Sequence, residues 1–276
     1  MPAIPLAKDV RSRWVEAVEW GTLTLWVGCL AVLVLGVCVV ASWSSVAAVV
    51  MVSLALVLHA SLSHEVLHGH PFGSKVANEA LVIVSPILFI PYLRFRDTHL
   101  AHHRDAHLTD PYDDPETNFL DPVVWDRLPR VVQLVLHANN TLIGRMLIGP
   151  VVSQYVFMRN DWHAVRAGDW KVAKGWLLHL PGVGMVLTFV WASPMSLGWY
   201  FVACYAALAI LKIRTFLEHQ AHALARGRTV IVEDRGPLAF LFLNNNLHVV
   251  HHMHPNVPWY RLPDMYRANA GRYLAQ

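Results

Sequence analysis

Four stretches of this chain are long and apolar enough to cross a lipid bilayer, and this limits the fold more than any other feature of the sequence. Trp20–Val40 is a mostly apolar run of about 21 residues, which at ~1.5 Å rise per residue matches a hydrocarbon layer of ~30 Å. After the break Ala41–Ser42–Trp43 a second run, Val46–Leu62, leads straight into His64. Trp176–Val190 and Leu197–Leu217, joined through Ala192–Ser193–Pro194, lead in the same way into Glu218–His219. No water in the hydrocarbon layer satisfies backbone groups, so such runs cross as helices. The expected fold is an all-α integral membrane protein with two transmembrane hairpins, the four spans lying near residues 20–40, 43–63, 176–193 and 196–217. The first run is read as a retained helix, because it exceeds the apolar part of a secretory signal and follows Glu16 and Glu19.

Composition agrees with membrane residence, since 55% hydrophobic and 15% charged residues are unusual for a soluble enzyme. A formal charge of +3 without a Lys/Arg stripe excludes nucleic acid as a partner. Cys29, Cys38 and Cys204 sit inside apolar runs with no CxxC pair, and read as small buried hydrophobes. Two further apolar segments are interrupted. Ala77–Leu93 carries Asn78, Glu79, Pro86 and Pro91, and a crossing there would separate His64 from His99 by ~30 Å, so it is read as interfacial or re-entrant. Val131–Met158, with His137, Asn139, Asn140, Arg145 and Pro150, is read as amphipathic helix at the membrane surface. Four spans then put Lys8, Arg11, Arg13, Arg94, Arg96, Arg104, Arg226 and Arg228 on one side, which the positive-inside rule makes cytoplasmic, together with both termini. No repeat or linker divides the chain, so residues 1–276 are expected to form one domain.

Most of the 17 histidines fall in four clusters at that same face. His64 and His68 are spaced i, i+4 in HEVLH; His99, His102 and His103 form an HxxHH string; Glu218, His219 and His222 follow the fourth span; His248, His251 and His252 repeat HxxHH. Residues at i, i+3 and i+4 share one helical face, so each string is expected to offer two or three imidazoles at one point. His59, His137, His163 and His179 stand alone and are read as interfacial or hydrogen-bonded residues. HEVLH by itself is also the zinc-protease string with Glu65 as general base, but that reading leaves the other clusters idle. Eight or nine imidazoles exceed the three or so ligands of a catalytic zinc and suit two irons with positions open for O2. A metal carrier or sensor is disfavoured, because storage needs no hydrophobic hairpin scaffold.

HEVLH, HLAHH, LEHQAH and NNLHVVHH with its following proline resemble the histidine boxes of the membrane fatty acid desaturase and hydroxylase superfamily, from about residue 20 to the C-terminus. The resemblance implies a non-haem centre of two Fe ions using O2 as co-substrate, with His64, His68, His99, His102, His103, His248, His251 and His252 as ligands. One more ligand is implied after the fourth span. His219 is the aligned choice, because related alkane hydroxylases carry a Glu-His pair there; His222 is the alternative used by desaturases with an Asn-x-x-x-His pattern. No catalytic side chain is assigned beyond the metal centre. Glu65, Asp97, Asp105 and Glu218 are expected to orient imidazole N–H groups; Asn244, Asn245 and Asn246 to cap the last box or join its hydrogen bonds; Asp110, Asp113, Asp114 and Glu116 to do the same or to cap a solvated loop. The expected reaction is desaturation of a fatty acyl chain or similar long apolar lipid, with hydroxylation or ketolation of a lipid, alkane or carotenoid as the alternative. No haem or flavin module is recognisable, so electrons are expected from a separate ferredoxin, rubredoxin or small cytochrome drawn to Arg94, Arg96, Arg104, Arg226 and Arg228. The expected location is a bacterial inner membrane, with the metal site cytoplasmic.

Overall fold

Apolar runs too long for a single turn of core helix become four membrane-length helices: α1 (Trp20–Trp43), α2 (Ser45–Leu67), and two more introduced below. The computed structural model describes residues 18–103 and 107–275. Lys8, Arg11, Arg13, Glu16, Arg104 and Asp105 therefore lie outside the described residues, as does the side chain of Arg226. Ser44 ends α1 in an extended conformation and its Oγ accepts a hydrogen bond from the Ala47 amide at 3.2 Å, capping α2. Within α1, residues Gly36–Val40 form a π-helical turn, and a Cβ on Gly36 would lie 2.8 Å from Val52 Cγ2. Only glycine lets α1 and α2 approach this closely.

Between the second and third spans lie α3 (Lys75–Val82), α4 (Tyr92–His102), α5 (Pro122–Arg127), α6 (Arg130–Asn139), α7 (Leu142–Leu147) and α8 (Gly149–Arg166). The third and fourth membrane-length helices are α9 (Trp170–Trp191) and α10 (Leu197–Leu217). α9 begins six residues before the expected Trp176, because Asp169 caps it by accepting from the Lys171 and Val172 amides at 3.0 and 3.2 Å. α2 runs past the expected Leu62 and carries His64 on its last turn. The stretch Val131–Met158, expected as one amphipathic helix, is three helices, broken where Asn140 leaves the helix and Thr141 Oγ1 accepts from Gly144 N at 3.1 Å.

α2 lies at the centre, packed on both α1 and α10. Ala48, Ala55, Ala203 and Ala207 are buried in this core, small side chains that let helices approach where lipid supplies no hydrophobic drive between them. Ser53 Oγ crosses the α2–α10 interface to Ala203 O at 3.2 Å.

Residues 83–90 do not cross the membrane as a helix, and Leu88 has φ of 69°. Carbonyls freed in this segment receive side-chain donors from three helices: Tyr200 OH to Pro86 O at 2.7 Å, His179 Nε2 to Leu88 O at 2.7 Å and Gln154 Nε2 to Phe89 O at 2.8 Å. Irregular backbone at this depth persists because protein, rather than lipid, surrounds it. The segment delivers the chain back to α4 on the side it left, with His99 beside His64. After α10 the chain makes isolated antiparallel bridges, His219 with Thr229 and Ile231 with Leu247, then α11 (Pro237–Leu241), α12 (His248–Met253) and α13 (Leu262–Leu274).

Candidate metal centre

Two groups of imidazoles meet at the ends of α2, α4, α10 and α12. His64, His68, His99, His103 and His251 form one, and His102, His219, His248 and His252 the other; within each group the ligand atoms lie within 4.8 Å of one another. The HxxHH strings do not act at one point, as their spacing suggested. In each string the i and i+4 residues (His99 and His103; His248 and His252) enter one group, while the i+3 residue (His102; His251) enters the other. Positions i+3 and i+4 differ by roughly 100° around a helix, so a helix end wedged between two centres feeds both. His59, His137, His163 and His179 belong to neither group.

The local backbone explains how His219 arrives. Immediately after α10, Gln220 N donates to Arg228 O at 3.1 Å and Val230 N to Glu218 O at 3.0 Å, pinning His219 in an isolated antiparallel bridge with Thr229. Its Nδ1 donates to Arg228 O at 3.2 Å. His222, three residues on, is exposed and turns its Nδ1 to the Leu224 backbone, outside both groups. The alternative ligand position, His222, thus lies outside both groups in this structure.

Three other imidazoles also donate through Nδ1. His102 donates to Asp114 Oδ1 at 2.9 Å, His99 to Glu116 Oε2 at 3.1 Å and His248 to Asn245 Oδ1 at 3.2 Å; Asn245 Nδ2 in turn donates to Glu218 Oε1 at 3.0 Å. These bonds fix the tautomer, leaving Nε2 as a bare lone pair. His102 Nε2 and His219 Nε2 then face one another at 2.9 Å, and His219 Nε2 and His248 Nε2 at 3.0 Å. Lone pairs that converge at this distance repel unless a cation lies among them. In the first group, His64 Nε2 and His68 Nε2 are buried with no hydrogen-bond partner. The donor set and these orphaned atoms fit two metal ions, and neutral imidazole without thiolate suits iron.

Electrostatics point the same way. Burial, followed by the neighbouring imidazoles, holds His68, His99, His103, His248, His251 and His252 below the ordinary histidine range, and lowers His219 to about 4. All are therefore neutral at physiological pH, as ligation requires. His102 is the exception: burial opposes its charge, but the hydrogen bond to Asp114 and the nearby Glu116 outweigh it and raise the pKa.

Several supporting residues sit elsewhere than expected. Asp97 is bound to Arg96, with contacts of 3.0 and 2.8 Å, and to Lys171 at 3.1 Å, and orients no imidazole. Glu65 accepts from the Trp259 amide at 3.0 Å and lies 3.8 Å from His64 Nδ1, so it ties the C-terminal segment to α2 and does not face the bare Nε2 side as a protease base would. Asn244 and Asn246 donate to Trp259 O and Val232 O at 3.1 and 2.6 Å; of the three asparagines, Asn245 alone reaches an imidazole. Asp110 caps its loop through the Tyr112 and Asp113 amides, whereas Asp114 and Glu116 reach the histidines. Arg214, not singled out in the sequence, pairs with Glu218 at 2.6 Å; its signal was the i, i+4 spacing at the end of an apolar span.

The sequence model of the fatty acid desaturase family matches residues 41–276, which includes every histidine of both groups. The chain belongs to the fatty acid desaturase family. Among curated proteins, none matches it significantly. As a desaturase-family protein it has the membrane helices, the histidine boxes and two metal-capable groups of that superfamily in one chain.

Proposed function

We propose that this desaturase-family protein is an O2-dependent oxidase that holds two non-haem irons and desaturates a fatty acyl chain or similar long apolar lipid. The observation that carries this is the convergence of nine imidazoles into two adjoining groups, with His219 Nε2 facing His102 Nε2 and His248 Nε2 at 2.9 and 3.0 Å. His64, His68, His99, His103 and His251 would hold one ion, and His102, His219, His248 and His252 the other. When bound, the irons supply the O2 activation needed to break an unactivated C–H bond, which offers ordinary side chains neither an acidic proton nor an electrophile. The protein's own work is placement. Asp114, Glu116, Asn245 and the Arg228 carbonyl hold the imidazoles in one tautomer and orientation. Burial of His64, His68, His99, His102, His248 and His251 keeps water and protons from competing for their ring nitrogens.

Hydroxylation is the second reading, and one observation favours it: the Glu218–His219 pair, which resembles the hydroxylase pattern, supplies the imidazole that enters the second group, while His222 does not. The centre is read as cytoplasmic in a bacterial inner membrane, with electrons delivered by a separate small redox protein. Arg94 and Arg96 are not its landing charges, because Asp161, Glu79 and Asp97 already pair with them.

The test is expression with a reductant system, metal analysis of the purified protein and mass spectrometry of the host lipids. Iron near two atoms per chain with lipids that have lost two hydrogens is the expected result. Lipids that gain oxygen select hydroxylation, and one zinc without iron in iron-replete cells sinks both.

A further inference from the structure

A helix lying on a membrane surface keeps one face charged for water and one face apolar for the bilayer. In α6, α7 and α8 the second face is present and the first is missing. The polar side chains turn into protein: Arg145 and Asp161 are 5% and 4% exposed, Arg145 Nε donates to Asn139 O at 2.8 Å, and Asp161 accepts from Arg94 Nε at 2.9 Å and Trp176 Nε1 at 2.8 Å. From Leu142 to Met158 every exposed residue is apolar or aromatic. Val151, Tyr155, Met158 and Trp162, spaced i, i+4, i+7 and i+11 along one face of α8, are between 48% and 65% exposed. The exposed arginines stand only at the ends of this arm, Arg130 at the start of α6 and Arg159 and Arg166 in the last two turns of α8.

Contacts with the spans show how deep the arm goes. Tyr205 OH donates to Leu147 O, and Tyr205 stands twelve residues before Leu217, roughly 18 Å from the histidine end of α10 at ~1.5 Å per residue. Gln154 Nε2 donates to Phe89 O at 2.8 Å, and the Phe89 ring lies 6.2 Å from that of Phe201, near the opposite end of α10. Farther along α8 the Phe157 ring lies 6.0 Å from that of Trp176, in the first turns of α9. α8 therefore rises beside α9, and only Ala167–Asp169 joins them. Both ends of the arm are on the histidine side: Glu116 meets His99 before α6, and Lys171 pairs with Asp97 at 3.1 Å after α8. Between them the chain descends and returns. The Arg145 guanidinium lies 5.6 Å from the Phe216 ring, one residue from the histidine end of α10, so its side chain runs back toward that side as a cation anchored in hydrocarbon does.

We propose that α6, α7 and α8 form a re-entrant arm sunk to the middle of the bilayer from the histidine side, with Ile143, Val151, Tyr155 and Met158 in contact with lipid acyl chains. This replaces the surface-lying placement expected for Val131–Met158, and it is independent of the reaction at the histidine centre. Acyl chains are the occupant because the neighbouring span α9 exposes Leu177 and Leu180 at a similar distance from the α8–α9 turn, so one apolar surface covers both helices. At the bottom of the arm the exposed Thr141 hydroxyl bonds internally, donating to Ala138 O at 2.8 Å and accepting from Gly144 N at 3.1 Å, as backbone irregularity without water requires.

The test attaches bimane to single cysteines introduced in the full chain by Ile143→Cys, Val151→Cys and Tyr155→Cys, with the unaltered chain as the blank for Cys29, Cys38 and Cys204. Each protein is reconstituted into phosphatidylcholine vesicles and exposed to aqueous iodide, to a head-group nitroxide lipid or to lipid brominated in mid-chain. All three labels are expected to lose most of their emission to the brominated chains and little to iodide, as Leu180→Cys on α9 does, whereas Tyr112→Cys in the exposed loop after α4 is quenched by iodide. Stronger quenching by the head-group nitroxide than by the brominated chains means that the helices lie at the surface, and overturns the proposal. Resistance to every quencher, together with a dimer mass in detergent, makes this face an interface between copies and overturns it equally. An unchanged melting temperature certifies each variant as folded, and because the positions lie on two helices, one unstable variant leaves the others to decide.

Discussion

At the residue scale, the centre depends on which nitrogen of each imidazole is free, and that choice is made by partners outside the histidine boxes. Asp114 is buried and donates nothing; it accepts from His102 Nδ1 and from the Thr109 and Glu116 amides, so it is held rigidly while it holds the ring. Asp114→Asn is expected to lower iron affinity or activity by about 10–100-fold, since an amide can present a donor to the ring and release the tautomer. Asp97→Asn, which touches only Arg96 and Lys171, and His222→Ala are expected to leave iron content unchanged. Iron per chain in the three purified variants checks this. Equal losses in all three would mean that the second group is not organised by Asp114. The boxes themselves were legible as strings of histidine, because i, i+4 spacing puts His64 with His68, His99 with His103 and His248 with His252; the split of His102 and His251 into the other group was not legible. The supporting residues were less so: Asp97 is adjacent in sequence to a ligand box but faces another way on α4, and Asp114 and Glu116 reach the rings only because the loop after α4 folds back.

At the scale of elements, the four spans were readable from length and apolarity, with errors confined to their ends. A hydropathy run reports where apolar residues stop, whereas a helix starts where a cap takes over its free amides; Asp169 starts α9 before its apolar limit, and α2 runs on to Leu67 past its own. The segment between α3 and α4 was recognisable as a non-crossing stretch from its Pro and Asn content, but not how it is stabilised, because that takes donors from α8, α9 and α10, far away in sequence. Tyr200→Phe removes one of those donors while preserving shape. It leaves the buried Pro86 carbonyl with only the long, weak contact from Cys204 Sγ at 3.9 Å and is expected to cost about 1–3 kcal/mol, seen as a lower melting temperature in detergent. Leu197→Phe, on the same helix but without such a bond, serves as the control; an equal loss there would assign the effect to packing.

At the scale of the whole molecule, both histidine groups lie at one end of the spans, which requires residues 227–235 and the turn before α4 to share a side of the membrane. Reporter tags within 227–235 are expected to be cytoplasmic and tags at Ser42 or Pro194 on the opposite side, because Lys and Arg are concentrated near the first and absent around the others. Tags on both sides of α3 that report opposite faces would break the shared site. The straddling of α4 and α12 between the two groups has a consequence for assembly. His102 shares a helix end with His99 and His103, and His251 with His248 and His252, so an ion held by one group would also restrain the imidazole that serves the other. Occupancy of one position thus prepares its neighbour, so iron added stepwise to the metal-free protein should fill both positions in the same molecules. Native mass spectrometry at half-saturation would then record empty and doubly filled chains, with the singly filled form the rarest of the three.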